Sequence, residues 1–136
     1  MKSLTIAHPI NLKGIGLHTG LNSNITLKPA EINSGIFFNR IDKKMIIPAK
    51  WENVISTKFS TNLGKNKIEV KTVEHLLSAL AGLHIDNCEI CIDNIEVPIL
   101  DGSSKVFVNG KGCGRVGDGL SGCTSVAAGS PNVFAG

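Results

Sequence analysis

Thr72-Val73-Glu74-His75-Leu76-Leu77-Ser78-Ala79-Leu80-Ala81-Gly82-Leu83 is the stretch from which the architecture is read. Val73, Leu76, Leu77 and Leu80 fall at i, i+3, i+4 and i+7, one apolar stripe of a helix rather than the alternation of a strand. The spacing predicts a helix over 72–81, packed on a sheet by those four side chains. Thr72 is the expected N-cap, and Gly82 stands where a left-handed residue would end the helix. With the stripe turned inward, Glu74 and His75 sit on or near its edge in the first turn. A neutral imidazole there has a lone pair for a metal, and an ionised carboxylate can take a proton from water. The dipeptide alone leaves two readings open. One is a metal ligand beside a general base; the other is a helix-end carboxylate beside a surface histidine.

Around this helix the chain reads as strands. Residues 3–10 and 24–28 are expected as strands on either side of the turn Gly14-Ile15-Gly16-Leu17-His18-Thr19-Gly20, with further short strands at 36–39 and 45–48. Residues 59–70 predict a hairpin with its tip at Gly64-Lys65-Asn66. After the helix, Cys88, Ile90 and Ile92 alternate with Glu89, Cys91 and Asp93, the pattern of a half-buried strand. In a strand, Cys88 and Cys91 point to opposite faces, so their CxxC spacing makes neither a zinc knuckle nor a redox pair. One is expected in the core and the other less buried. The expected class is α+β, a two-layer α/β sandwich followed by a short glycine-rich β tail, divided as 1–104 and 105–136.

Composition narrows the function. The 136 residues are 42% hydrophobic with a formal charge of +3, enough apolar content for one ordinary core and too little basic bias for a nucleic-acid surface. One Trp and no Tyr leave no aromatic–basic interleaving. No run of eighteen apolar residues predicts a membrane span, and Met1-Lys2-Ser3 does not lead into a signal-peptide core, so the cytoplasm is the expected compartment.

Four motifs stand in one order: the Gly14–Gly20 turn; Thr72-Val73-Glu74-His75-Leu76 followed by Ala79-Leu80-Ala81-Gly82-Leu83; Ile85-Asp86-Asn87; and Glu96-Val97-Pro98-Ile99-Leu100-Asp101-Gly102-Ser103. Together, from about Lys2 to Ser104, they resemble the N-terminal domain of the UDP-3-O-acyl-N-acetylglucosamine deacetylase family, zinc hydrolases that commit a sugar nucleotide to lipid A synthesis. The resemblance implies that Glu74 is the general base and His75 one of three protein ligands to a catalytic zinc. It further implies that His18, Thr19, Thr57 and Lys58 lie in substrate-binding regions. In that family the other two zinc ligands belong to a His-x-x-x-Asp motif in a second domain. The four His here are at 8, 18, 75 and 84, with no such motif. A catalytic zinc needs three protein ligands and an open position, so this chain by itself is expected neither to hold zinc tightly nor to turn over substrate. The implied partners are a UDP-sugar or lipid A precursor and a C-terminal catalytic domain.

The tail reads differently. Eight of the 15 glycines fall between Gly110 and Gly136, and Val106-Phe107-Val108-Asn109-Gly110 is echoed by Val133-Phe134-Ala135-Gly136. Short β-segments separated by glycine turns are expected. Val106–Lys111, Gly112-Cys113-Gly114-Arg115, Val116-Gly117-Asp118 and Ala128–Phe134 resemble one repeat of the PAAR family, which sharpens the spike tips of phage tails and type VI secretion systems. The tail has no His, and Cys113 with Cys123 supply at most two ligands where a structural zinc wants four. Two classes of function therefore compete: an enzyme half awaiting its catalytic partner, and a non-catalytic structural or binding protein associated with spike proteins or a virion.

Overall fold

The computed structural model describes residues 2–99 and, as backbone, 106–108 and 111–113. The chain divides into two units, 1–102 and 103–136.

In the first unit, eight strands, a 3-10 turn at Trp51–Asn53 and one α-helix follow in sequence: β1 (Ile10–Ile15), β2 (Asn22–Pro29), β3 (Ile36–Arg40), β4 (Met45–Pro48), β5 (Val54–Ser56), β6 (Asn62–Lys65), β7 (Ile68–Val70), α1 (Glu74–Gly82) and β8 (Cys88–Ile92). Five strands make one sheet in the order β1-β2-β8-β3-β4, and β5-β6-β7 make another. All pairs are antiparallel except β3 with β8, whose strands run parallel. The architecture is α+β, mostly strand, with its sheets in two layers.

Alternation builds the core. Ile25 pairs with Ile92 and Leu27 with Ile90 across β2 and β8. Phe38 lies between Ile90 and Ile47, so one face of the larger sheet is a continuous apolar surface. Leu63 and Val70 of the smaller sheet and Val73, Leu76 and Leu80 of the helix segment join the same buried cluster. Leu77, the fourth member of the predicted stripe, is only half-buried and packs against its margin. Buried Arg40 ties the layers together. It grips Asp42 through Nε and Nη2, at 2.8 and 2.7 Å, and donates from Nη1 to the carbonyl of Glu69 in β7.

Several expectations from sequence are corrected. Residues 3–9 are not a strand: Thr5 makes a single parallel bridge to Asn87, and the first strand begins at Ile10, after Pro9, which has no amide to give a ladder. Thr72 is not the N-cap. Val73 occupies that position without a side-chain cap, because the Thr72 hydroxyl is spent elsewhere. Gly82 is the last helical residue, and the left-handed residue after it is His84, at φ 56°. The hairpin turns at Asn66-Lys67, with φ 50° and 64°, the two left-handed residues of a two-residue loop. Gly64 lies inside β6, where a Cβ would come within 2.7 Å of the Ile55 side chain. The two thiols part as expected: Cys88 is fully buried in the core cluster, and Cys91, 5% exposed, lies outside it on the other face between Thr26 and Asn39. Burial pushes both thiols up, with the Glu89 carboxylate adding to the effect. Both are therefore inert as nucleophiles.

In the second unit, β9 (Val106–Val108) and β10 (Lys111–Cys113) pair antiparallel. The expected repeat, the resemblance to a spike tip and the Cys113/Cys123 pair otherwise lie outside the described residues.

Candidate active site

The first turn of α1 carries Glu74 and His75, both exposed. Three segments converge on it. The first descends from the β5–β6 connection: Thr61 donates its amide to Glu74 Oε2 at 3.0 Å, and the Thr61 carbonyl receives the Val73 amide. The second is the extended stretch 95–99. It runs beside Lys71, which donates to the Ile95 carbonyl and accepts from the Val97 amide, and it brings the Pro98 carbonyl to within 3.0 Å of His75 Nε2. A carbonyl only accepts, so this contact requires a proton on Nε2. The lone pair of the neutral ring is then on Nδ1. The third is the glycine-rich turn, closed by hydrogen bonds from Gly20 to Gly16 and from Gly16 to Leu21.

Glu96 joins the second and third segments to the helix. Its side chain is wholly buried, yet its carboxylate is fully met. Oε2 accepts the Thr19 amide at 2.8 Å, both oxygens lie within 3.1–3.2 Å of the His18 amide, and the Thr72 hydroxyl donates to Oε1 at 2.7 Å. Burial pushes this carboxyl up, but the bonds from Thr72, Thr19 and His18 together outweigh it and hold it down at about 2. Gly16 is required beside it, since a Cβ there would collide with Glu96 Oε2 and Thr19 Oγ1. Thr72 reaches Glu96 from a left-handed backbone, φ 59°, a conformation that costs energy in a β-branched residue and persists only where its surroundings fix it.

Of the residues singled out from sequence, Glu74 and His75 are adjacent on α1, and His18 and Thr19 join them through Glu96 and Thr72. Thr57 and Lys58 lie in an exposed loop. There the Lys58 ammonium stands 5.5 Å from the Phe59 ring centre, and the loop enters the site only at Thr61. Glu96 is the functional residue to which the sequence-based expectations assign no role. The signal was available: Glu96 is the single charge in Ile95-Glu96-Val97-Pro98-Ile99-Leu100, an otherwise apolar run, and a charge so placed needs dedicated partners.

Grooves of about 190 Å³, along Ile55 and 64–69, and about 410 Å³, around Lys2, Asn33 and Asp86, lie elsewhere. Neither is lined by Glu74 or His75. Among the described residues, no group of three His, Cys, Asp or Glu side chains is placed to hold a metal. One imidazole is not a catalytic metal site, so the described residues do not by themselves fit one.

The family model for UDP-3-O-acyl N-acetylglycosamine deacetylase matches residues 3–113. The chain belongs to this deacetylase family. Among its relatives are the UDP-3-O-acyl-N-acetylglucosamine deacetylases of Helicobacter pylori, 47% identical over 107 residues, and Hahella chejuensis, 49% identical over 110; each match covers 79% of this chain and 36% of the relative. That of Lawsonia intracellularis is 45% identical over 112 residues, 80% of this chain and 36% of its own length. The chain thus spans about a third of the deacetylases it matches. The family match ends at residue 113, so it takes in both β9 and β10.

Proposed function

We propose that these residues supply one wall of a zinc-dependent deacetylase acting on a UDP-3-O-acyl-N-acetylglucosamine in lipid A synthesis, and that they work only with a second catalytic domain that supplies the other. The observation that carries this reading is the pair on α1: an exposed carboxylate beside an imidazole whose Nε2 is already committed, leaving Nδ1 free to donate its lone pair. Glu74 takes the proton of the water that attacks the acetamide carbonyl, and the Thr61 amide holds the carboxylate in place for that transfer. His75 contributes one ligand to a metal whose remaining ligands come from outside these residues. The turn with His18 and Thr19 holds the sugar nucleotide near the start of α1, and Thr57 and Lys58, in the exposed loop that leads to Thr61, meet its outer part. A cytoplasmic site suits so polar a substrate, and no described helix is long and apolar enough to cross a membrane.

Equilibrium dialysis against zinc tests the shared-ligand claim. The chain alone should show no tight stoichiometric zinc. The chain mixed with the second domain of a related deacetylase should bind one zinc, lost with His75→Ala. Tight binding by the chain alone that survives His75→Ala would overturn the reading and point to Cys113 and Cys123.

A further inference from the structure

The chemistry proposed for Glu74 and His75 leaves a wholly buried carboxylate unused. Glu96 is not a metal ligand candidate, since its lone pairs are taken by the amides of His18 and Thr19 and the hydroxyl of Thr72. Nor is it needed to fill the core, where an aliphatic side chain would avoid the cost of burying a charge. What distinguishes it is connectivity. It accepts from the glycine-rich turn nearly eighty residues upstream and from Thr72, two residues before Glu74. It also lies in the bridge with Lys71 that delivers the Pro98 carbonyl to His75.

We propose that Glu96 is the positioning residue of the site: its carboxylate locks the His18-Thr19 turn to Thr72, and so fixes both the start of α1 and the tautomer and orientation of His75. This role rests on the reading of Glu74 and His75 as the working pair and adds how that pair is held. Two backbone N–H groups and a hydroxyl converge on one carboxylate within 3.2 Å. No neutral side chain of the same shape reproduces this. A glutamine can accept both amides through one oxygen, but its amide nitrogen, in the place of Oε1, then lies against the His18 N–H and reverses the bond with the Thr72 hydroxyl. In its left-handed conformation Thr72 aims its hydroxyl at Glu96 while its amide donates to Asn62 Oδ1 at 3.1 Å.

NMR of the full chain carrying Glu96→Gln, with the His75 ring nitrogens labelled, tests the proposal at one fixed pH. In the native chain the ring should be held as the Nε2–H tautomer. In the variant the His18 and Thr19 amide protons should shift upfield, Thr72 and Glu74 should shift with them, and His75 should lose its Nε2–H preference, while the amides of β2, β3 and β8 stay in place. A general loss of stability would not move the tautomer of a folded histidine. Shifts confined to 16–20, with Thr72, Glu74 and the His75 ring unchanged, would overturn the proposal and leave Glu96 as a loop anchor. If Glu96→Gln does not fold, Thr72→Val reads the same link from its other end. It should move the His18 and Thr19 amides and the His75 ring together, and a change at Thr72 alone would refute the link. Neither readout depends on turnover, so a failure of the deacetylase reading in an activity assay is distinguishable from a failure here.

Discussion

Acid should unfold this protein through Glu96. The carboxyl stands at about 2 in the folded chain against an ordinary value of 4.5, so the folded state prefers it ionised. A lowered folded value means stability that is fully present above 4.5 and is lost as pH falls toward and through 2. The difference is about 2.5 units, and at ~1.4 kcal/mol per unit it corresponds to roughly 3 kcal/mol, most of it gone by pH 2. For a domain whose whole stability is of order 5–15 kcal/mol, that is a large share. Glu96→Gln removes the titration, so the variant should start less stable at pH 6 and fall less steeply. Asp42, also held below its ordinary value by Arg40, contributes an acid loss common to both proteins and cancels in the comparison. Urea unfolding followed by Trp51 fluorescence or circular dichroism between pH 6 and pH 2 measures the gap. Native and variant curves that fall in parallel would show that the three hydrogen bonds do not favour the ionised form.

Three further outcomes follow from the packing. Leu80→Ala, at a side chain 3% exposed, should cost about 2–5 kcal/mol in a denaturant titration, and Leu77→Ala, half-buried, distinctly less; equal costs would contradict the helix's orientation. Gly16→Ala should destabilise by about 1–3 kcal/mol, because its methyl meets the Glu96 carboxylate, and an unchanged melting temperature would show that the turn is not pressed against Glu96. Lys67→Gly should stabilise by up to ~1 kcal/mol by relieving a left-handed residue in the β6–β7 loop; a loss of stability would mean that the Lys67 side chain contributes more than its backbone strain costs.

The parts legible in sequence were those with a period. Val73, Leu76 and Leu80 announced a buried helix face, and Cys88, Ile90 and Ile92 a strand face, because burial there repeats every 3.6 or 2 residues. What was not legible depended on partners far along the chain. Thr72 carries the signature of an N-cap, but its hydroxyl meets Glu96, 24 residues later, and no local rule weighs that competition. Cys91 looked like the outward member of an alternating strand. It is that member, and what the pattern could not give is that only 5% of it is exposed, because β8 is central and Thr26 of β2 and Asn39 of β3 flank it. The hairpin tip moved by two residues because Asn66 and Lys67 take left-handed conformations, while Gly64, the expected turn residue, is needed in the strand for lack of room beside Ile55. For the site, Glu74 and His75 could be named from the helix edge, but the grouping of His18 and Thr19 with them through Glu96 is a property of the fold.

The proposed function stands or falls on Glu74 being the base of a site completed by a second domain. Acetate release from UDP-3-O-acyl-N-acetylglucosamine, measured for the chain mixed with the second domain of a related deacetylase, tests it most directly. The native chain should restore release, and Glu74→Gln, which keeps the shape but accepts no proton, should lower the rate by about 10²–10⁴-fold without preventing association. Release that Glu74→Gln leaves unchanged, or no release from a native mixture shown to associate, would contradict it.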